Sequence, residues 1–170
     1  GLTLPLGRTE PDPYELGAQG LPHRHIQFGN GTVDPLLELS YSLRLLPELA
    51  TSFSVAGRFP FYGNGKHYQG SIESTFALTV RYLFAAEFDV PLSLHASYVL
   101  LLEGYAYWSG ERDINSGLLA HMLFSGARYE ASDTVALEFE VGLPLAQRPL
   151  AVAQTFTQGV LLRFNATVLF

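Results

Sequence analysis

Cysteine is absent from the chain, tryptophan and methionine occur once each, and only 15% of its 170 residues are charged. Without cysteine no disulfide can form, which is compatible with an envelope protein that avoids oxidative cross-linking during export. No apolar run reaches the roughly 18 to 20 residues that a membrane-spanning helix needs, so helical spans are excluded. Positive charge is scarce as well: ten Lys and Arg face sixteen Asp and Glu, for a net charge of −6. That balance offers no basic face to nucleic acid, and no nucleic-acid partner is expected. Nor does the opening Gly1-Leu2-Thr3-Leu4-Pro5 have the basic start and apolar core of a signal peptide. Since the chain opens on strand-like alternation, the expectation is the later part of a longer protein.

What the chain does have is apolar residues in alternation. Hydrophobic residues make up 48% of it, with nine Tyr and twelve Phe, yet they are spread rather than clustered. A membrane β-strand spends only every second residue on lipid, which reconciles a greasy chain with the lack of a greasy segment. The clearest case is the end, Gln158 to Phe170. Phe164, Ala166, Val168 and Phe170 fall on one face, and Arg163, Asn165 and Thr167 on the other. An alternating strand with an aromatic terminus is what an outer-membrane barrel would end on, so Phe164, Val168 and Phe170 are read as an assembly signal.

The same period runs backwards through the chain. Leu37, Leu39, Tyr41, Leu43 and Leu45 oppose Glu38, Ser40, Ser42 and Arg44; Phe53, Val55, Phe59 and Phe61 oppose Ser52, Ser54, Ala56 and Arg58. Further strands are expected over 72–82, 90–103, 117–129 and 135–143, and a short first one over Leu2 to Leu6. Residues Thr9 to Thr32, rich in Pro, Gly and charge, read as a long loop. The connections alternate between long and short. The pattern predicts an all-β fold: an antiparallel up-and-down transmembrane β-barrel of about eight strands, a single domain over residues 1–170, either closing by itself or, as the favoured expectation, forming part of a wider barrel.

With this register the polar face carries Glu38, Arg44, Arg58, Glu73, Arg81, His95, Glu103, His121, Glu138, Glu140 and Arg163, the candidate lumen-lining residues. In a narrow barrel they would form a satisfied ion-pair network; in a wider one they would line an aqueous passage and set its selectivity. His95 and Ser97, two apart on one face with Glu103 beyond, offer a base, a hydroxyl and an acid. That pair resembles the outer-membrane lipid A deacylases, although Tyr98 follows the serine where that family has Asn. The expectation remains no catalytic residue and no enzyme. His23 with His25, and Glu111, Asp113 and Asn115, are too few ligands for a metal site, and no metal or cofactor is expected.

Three segments, Leu4-Pro5-Leu6-Gly7-Arg8, Gln27-Phe28-Gly29-Asn30-Gly31-Thr32-Val33-Asp34-Pro35 and Leu143-Pro144-Leu145-Ala146-Gln147-Arg148, resemble a proteobacterial family of outer-membrane β-barrels grouped as transporters of phenol-degradation pathways. The resemblance implies the C-terminal part of such a barrel and a porin-like channel or transporter for small, hydrophobic or aromatic compounds. It also implies the bacterial outer membrane as location. The lipid bilayer, lipopolysaccharide and the outer-membrane barrel assembly machinery would be its partners, with the small-molecule solute unidentified. A structural or adhesive barrel with a plugged interior is the alternative, and a lipid-modifying enzyme a further one.

Overall fold

Period-2 alternation builds one sheet. The computed structural model describes residues 1–25, 27–150 and 157–168. Its strands are β1 (Leu36–Arg44), β2 (Leu49–Arg58), β3 (Tyr68–Gln69), β4 (Glu73–Leu83), β5 (Leu92–Glu103), β6 (Tyr107–Trp108), β7 (Glu111–Arg112), β8 (Leu118–Ser132), β9 (Val135–Pro149) and β10 (Leu161–Val168). Two short helices, α1 (Pro13–Ala18) and α2 (Ala85–Phe88), complete the elements among the described residues. The seven long strands pair as an antiparallel meander in the order β1-β2-β4-β5-β8-β9-β10. The three two-residue strands form a second sheet in the order β3-β6-β7.

Connections sort by end. Residues 45–48, 84–91 and 133–134 turn the chain at one end, where Ser132 Oγ accepts from the amides of Thr134 and Val135 at 3.3 and 3.1 Å. The longer connections 59–72 and 104–117 lie at the other end and carry the small sheet, and the segment before β1 joins them there. Thus the long and short loops alternate as the sequence predicts.

The strand count differs from expectation, and the described residues do not close the sheet by themselves. Among the described residues seven long strands are present rather than eight, and β1 and β10 have no neighbour on their outer edges. The sheet of the described residues is therefore open, and these residues form no closed barrel. Residues Leu2 to Leu6 make no strand: Leu2 forms one isolated bridge with Pro35, and Leu6 N–H bonds back to Leu4 O across Pro5 at 2.9 Å. That tight turn around a proline, which has no N–H to give a ladder, ends the extended run. Within the expected loop Thr9 to Thr32, α1 forms because Asp12 caps it, accepting from the amides of Tyr14 and Glu15, with Pro13 in its first turn.

β9 outruns its expected end at Leu143 and reaches Pro149. A register shift between His121 and Met122 puts Pro144 opposite Met122 and leaves Leu145 as the extra residue. A bulge tolerates proline because the ladder is already interrupted there.

Antiparallel pairing puts directly opposed residues on the same side of the sheet, so the register fixes both faces. One face is mostly apolar and largely exposed: Leu39, Leu78, Phe139 and Phe164 lie on it. The other holds the polar residues together with the buried core, in which Leu118, Ala120, Met122 and Phe124 of β8 alternate inward. Gly142 sits opposite Phe124, and a Cβ there would run into the phenyl ring, so the glycine makes the space the ring occupies.

Candidate functional site

The polar face is organised in rows that cross the sheet. One row runs Arg44, Ala50, Arg81, His95, Gly126, Glu140 and Arg163, each opposite the next on the neighbouring strand. Nearer the short turns, Ser93, Arg128, Glu138 and Asn165 make another. Toward the long loops lie Arg58, Glu73 and Glu103. Glu38, Arg44, Arg58, Glu73, Arg81, His95, Glu103, Glu138, Glu140 and Arg163 all share this face.

His121 does not. It pairs with Leu100 and points to the apolar side, where its Nδ1 meets the Tyr98 hydroxyl at 2.5 Å. The alternation of β8 is weak because its inward residues are apolar too, so a single polar residue there gives no guide to the face. Phe164 and Val168 lie on the apolar face, 67% and 51% exposed, while Phe170 is outside the described residues.

Two polar clusters are built on the face. In the first, the buried His95 imidazole meets Glu140 through Nε2 at 3.1 Å, and Glu138 lies 3.9 Å from its Nδ1. Arg163 binds the other oxygen of Glu140 at 2.8 Å and lies over the Phe124 ring at 5.5 Å. Gly126 permits this arrangement: a Cβ there would come within 2.9 Å of His95 Nε2 and collide with the Phe139 carbonyl. Ser97 instead shares a hydrogen bond with Thr79 at 2.8 Å, and Glu103 accepts from Ser71 at 3.4 Å. The three residues of the hydrolase reading therefore each have separate partners.

In the second cluster Arg58 ion-pairs with Glu73 across the β2–β4 ladder and reaches Asp34 at 3.6 Å. Asp34 is fully buried and also accepts from Thr32 Oγ1 at 2.7 Å and Asn30 Nδ2 at 3.0 Å. Asn64 Nδ2 bonds Asn30 O at 2.8 Å, tying the 59–72 connection to the same knot. A buried carboxylate needs such partners, and here they come from its own segment and from β2. Sequence alternation does not reveal this knot; its signal is the density of short polar residues from Asn30 to Asp34, which overlaps the loop-like composition of Thr9 to Thr32.

The N-terminal segment forms a cap at the long-loop end. Tyr14 donates to Asp113 at 2.6 Å and accepts from Asn115 Nδ2 at 3.0 Å. Lys66 Nζ holds Thr9 O at 2.6 Å, and the Gln27 amide bonds both backbone groups of Glu10 at 3.0 Å. Between cap and sheet lies a cavity of about 990 Å³ lined by Arg24, His25, Phe28, Tyr68, Glu103 and Asp113 among others. The His23 and His25 rings stand edge to face, 5.0 Å apart, and among the described residues no group of three or more metal-ligating side chains occurs.

Burial, then the hydrogen bond to Asp113, raises the Tyr14 pKa to about 12. Burial, then the nearby Asp113 charge, raises Tyr68 to about 12 also. Both hydroxyls stay neutral in the folded cap at pH values where an unfolded tyrosine, at 10.0, has ionised. Their contribution to stability is complete below that value and falls as pH climbs to about 12, since the unfolded state then binds fewer protons. Tyr14 and Tyr68 are thus expected to ionise late in a tyrosinate absorbance titration. Tyr14→Phe should remove one late step and leave the other; an unchanged titration would contradict the assignment.

Compared with protein-family models, curated proteins and solved structures, the chain matches none.

Proposed function

We propose that this chain forms wall of a bacterial outer-membrane β-barrel, a porin-like channel or transporter for small, hydrophobic or aromatic compounds. The observation that carries the reading is the apolar face. It crosses seven strands of 8 to 15 residues, has no covering element among the described residues, and on it Leu39, Leu78, Phe139 and Leu162 are 70%, 52%, 49% and 72% exposed. Soluble monomers rarely expose apolar patches beyond a few hundred Å². Lipid removes that cost, at roughly 1.5–3 kcal/mol for each large side chain taken out of water. Strands of about 9–11 residues are long enough to span a bilayer, and an aqueous lumen suits the charged rows opposite.

In this reading the short turns are periplasmic, the long loops and cap face outward, and lipid and lipopolysaccharide surround the apolar face. The barrel assembly machinery would insert the protein, using the β10 end as its signal. Further strands, as in the transporter family that the sequence resembles, would complete the wall between β1 and β10. No cofactor is called for.

The absence of cysteine makes the test direct. Single cysteines at Leu39, Leu78 and Phe139, and at Ser40, Thr79 and Glu138, should divide by parity after refolding into vesicles. Once each carries a thiol-linked fluorophore, the first set is expected to be quenched by brominated lipid, and the unlabelled second set to react with a water-soluble maleimide. Uniform labelling along β4 would sink the membrane reading. Uptake of small solutes by the same vesicles tests passage. A second reading, a plugged structural barrel, draws on the cap bonded over the long-loop end and on Met122 buried on the inner face. It expects the same labelling and no uptake.

A further inference from the structure

Among the described residues, the arginines of the polar face are compensated by acids except in one patch. Arg58 has Glu73 and Asp34, Arg128 has Glu130 and Arg163 has Glu140. Arg44 and Arg81 have no ion pair or side-chain hydrogen bond among the described residues, although both sit in a cross-sheet row that contains an acid. That acid, Glu140, is separated from Arg81 by His95 and Gly126 and is already held by His95 and Arg163. Only Ala50 stands between the two arginines, opposite Arg44 on one side and Arg81 on the other. Their backbones are thus two strand spacings apart, about 10 Å, and both side chains rise from the same face.

The surroundings are equally specific. In the next row toward the long loops lie Ser42, Ser52 and Thr79, each opposite the next, and beyond them Ser40, Ser54 and Ala77. These nine positions of β1, β2 and β4 therefore hold two guanidinium groups, five hydroxyls and two methyl groups, with no carboxylate. Small side chains leave open space above the sheet between the arginines. Two cations in one row repel each other, and an anion placed over Ala50 would relieve that repulsion and be met by both forks. The hydroxyl row would supply donors to its remaining lone pairs.

We propose that this patch binds the carboxylate of a small organic acid, with Arg44 and Arg81 as charge partners and Ser42, Ser52 and Thr79 as neutral donors. The inference rests on the reading of the polar face as a water-filled lumen and narrows its solutes to those with an anionic head. The body of such a solute would lie over the alanine and serine methylenes toward the long loops. Charge-assisted binding of this kind weakens as salt rises.

Saturation-transfer NMR on the purified protein in detergent, with propionate as the probe and propionamide as its uncharged counterpart, tests the site without any need for passage. Propionate should bind saturably and propionamide about tenfold more weakly or not at all. Replacing both arginines by Gln should abolish the difference. Should that double variant fail to fold, A50E provides the second measurement: it puts a carboxylate between the arginines, should fold as well as the parent by far-UV circular dichroism, and should abolish propionate binding. Equal binding of propionate and propionamide, tighter binding of inorganic phosphate, or undiminished propionate binding by A50E would each overturn the proposal. Binding without vesicle uptake would support the site and sink the channel reading alone.

Discussion

Arg58→Ala is expected to lower the unfolding free energy by about 3 kcal/mol, the low end of what removing one partner of a buried ion pair costs. The reason lies in what is left behind. Asp34 has no exposed side-chain surface, and Arg58 is its only cationic partner among the described residues. Glu73, which Arg58 also holds, faces Glu103 directly across the β4–β5 ladder, so the loss leaves two like charges opposed as well. Asp34 has other hydrogen bonds, from Thr32 and Asn30, which orient the carboxylate without neutralising it. The variant Asp34→Asn in the Arg58→Ala background should therefore recover about 1 kcal/mol or more by removing the stranded charge. Urea denaturation of the four combinations, read as a double-mutant cycle, measures the coupling. Strict additivity of the two substitutions would show that Arg58 and Asp34 do not act on each other.

Because Asp34 belongs to the segment ahead of β1 and Glu73 to β4, Arg58 is also what joins cap to sheet. Tyr14 makes a second junction, from α1 to the 104–117 connection, and Lys66 a third. Position in the sheet was legible from sequence because alternation reports it: Glu38, Arg58, Arg81 and Glu140 fall where their parity put them. The junctions were not legible, since they bring together residues such as Tyr14 and Asp113 that are 99 apart and share no periodic pattern. The helix at Pro13 could have been read from Asp12 and Pro13, a capping residue followed by the proline that starts a helix. Two-residue strands such as β6 offer no period to detect. His121 misled for a different reason: β8 buries Ala120, Met122 and Phe124 inward, so apolarity ceased to mark the outer face, and a histidine could turn outward to a tyrosine. The expected first strand shows the reverse error, since Leu2, Leu4 and Leu6 alternate but Pro5 turns the chain between them.

Leu78→Arg is expected to block stable insertion of the protein into lipid vesicles, whereas Thr79→Arg, one residue along the same strand, should insert nearly as well as the parent. Leu78 lies near the middle of β4, opposite Phe53 on one neighbour and Tyr98 on the other, on the exposed apolar face. An arginine at that depth of a bilayer costs about 2–4 kcal/mol, enough to shift folding equilibria by one to three orders of magnitude. Thr79 points the other way, beside Ser52 and Ser97, so its replacement gives up one hydrogen bond to Ser97, worth about 1 kcal/mol, and places the new charge in water. Propensity is nearly the same for both positions, and so is distance from either end of the strand; only the side of the sheet differs. Heat-dependent gel mobility after refolding into vesicles, with urea titration of each variant, compares them. A soluble sheet would give the opposite order, because an arginine on its exposed apolar face would raise solubility at little cost. The sign of the difference between neighbouring residues therefore decides whether water or lipid is the solvent of that face, independently of whether any solute passes.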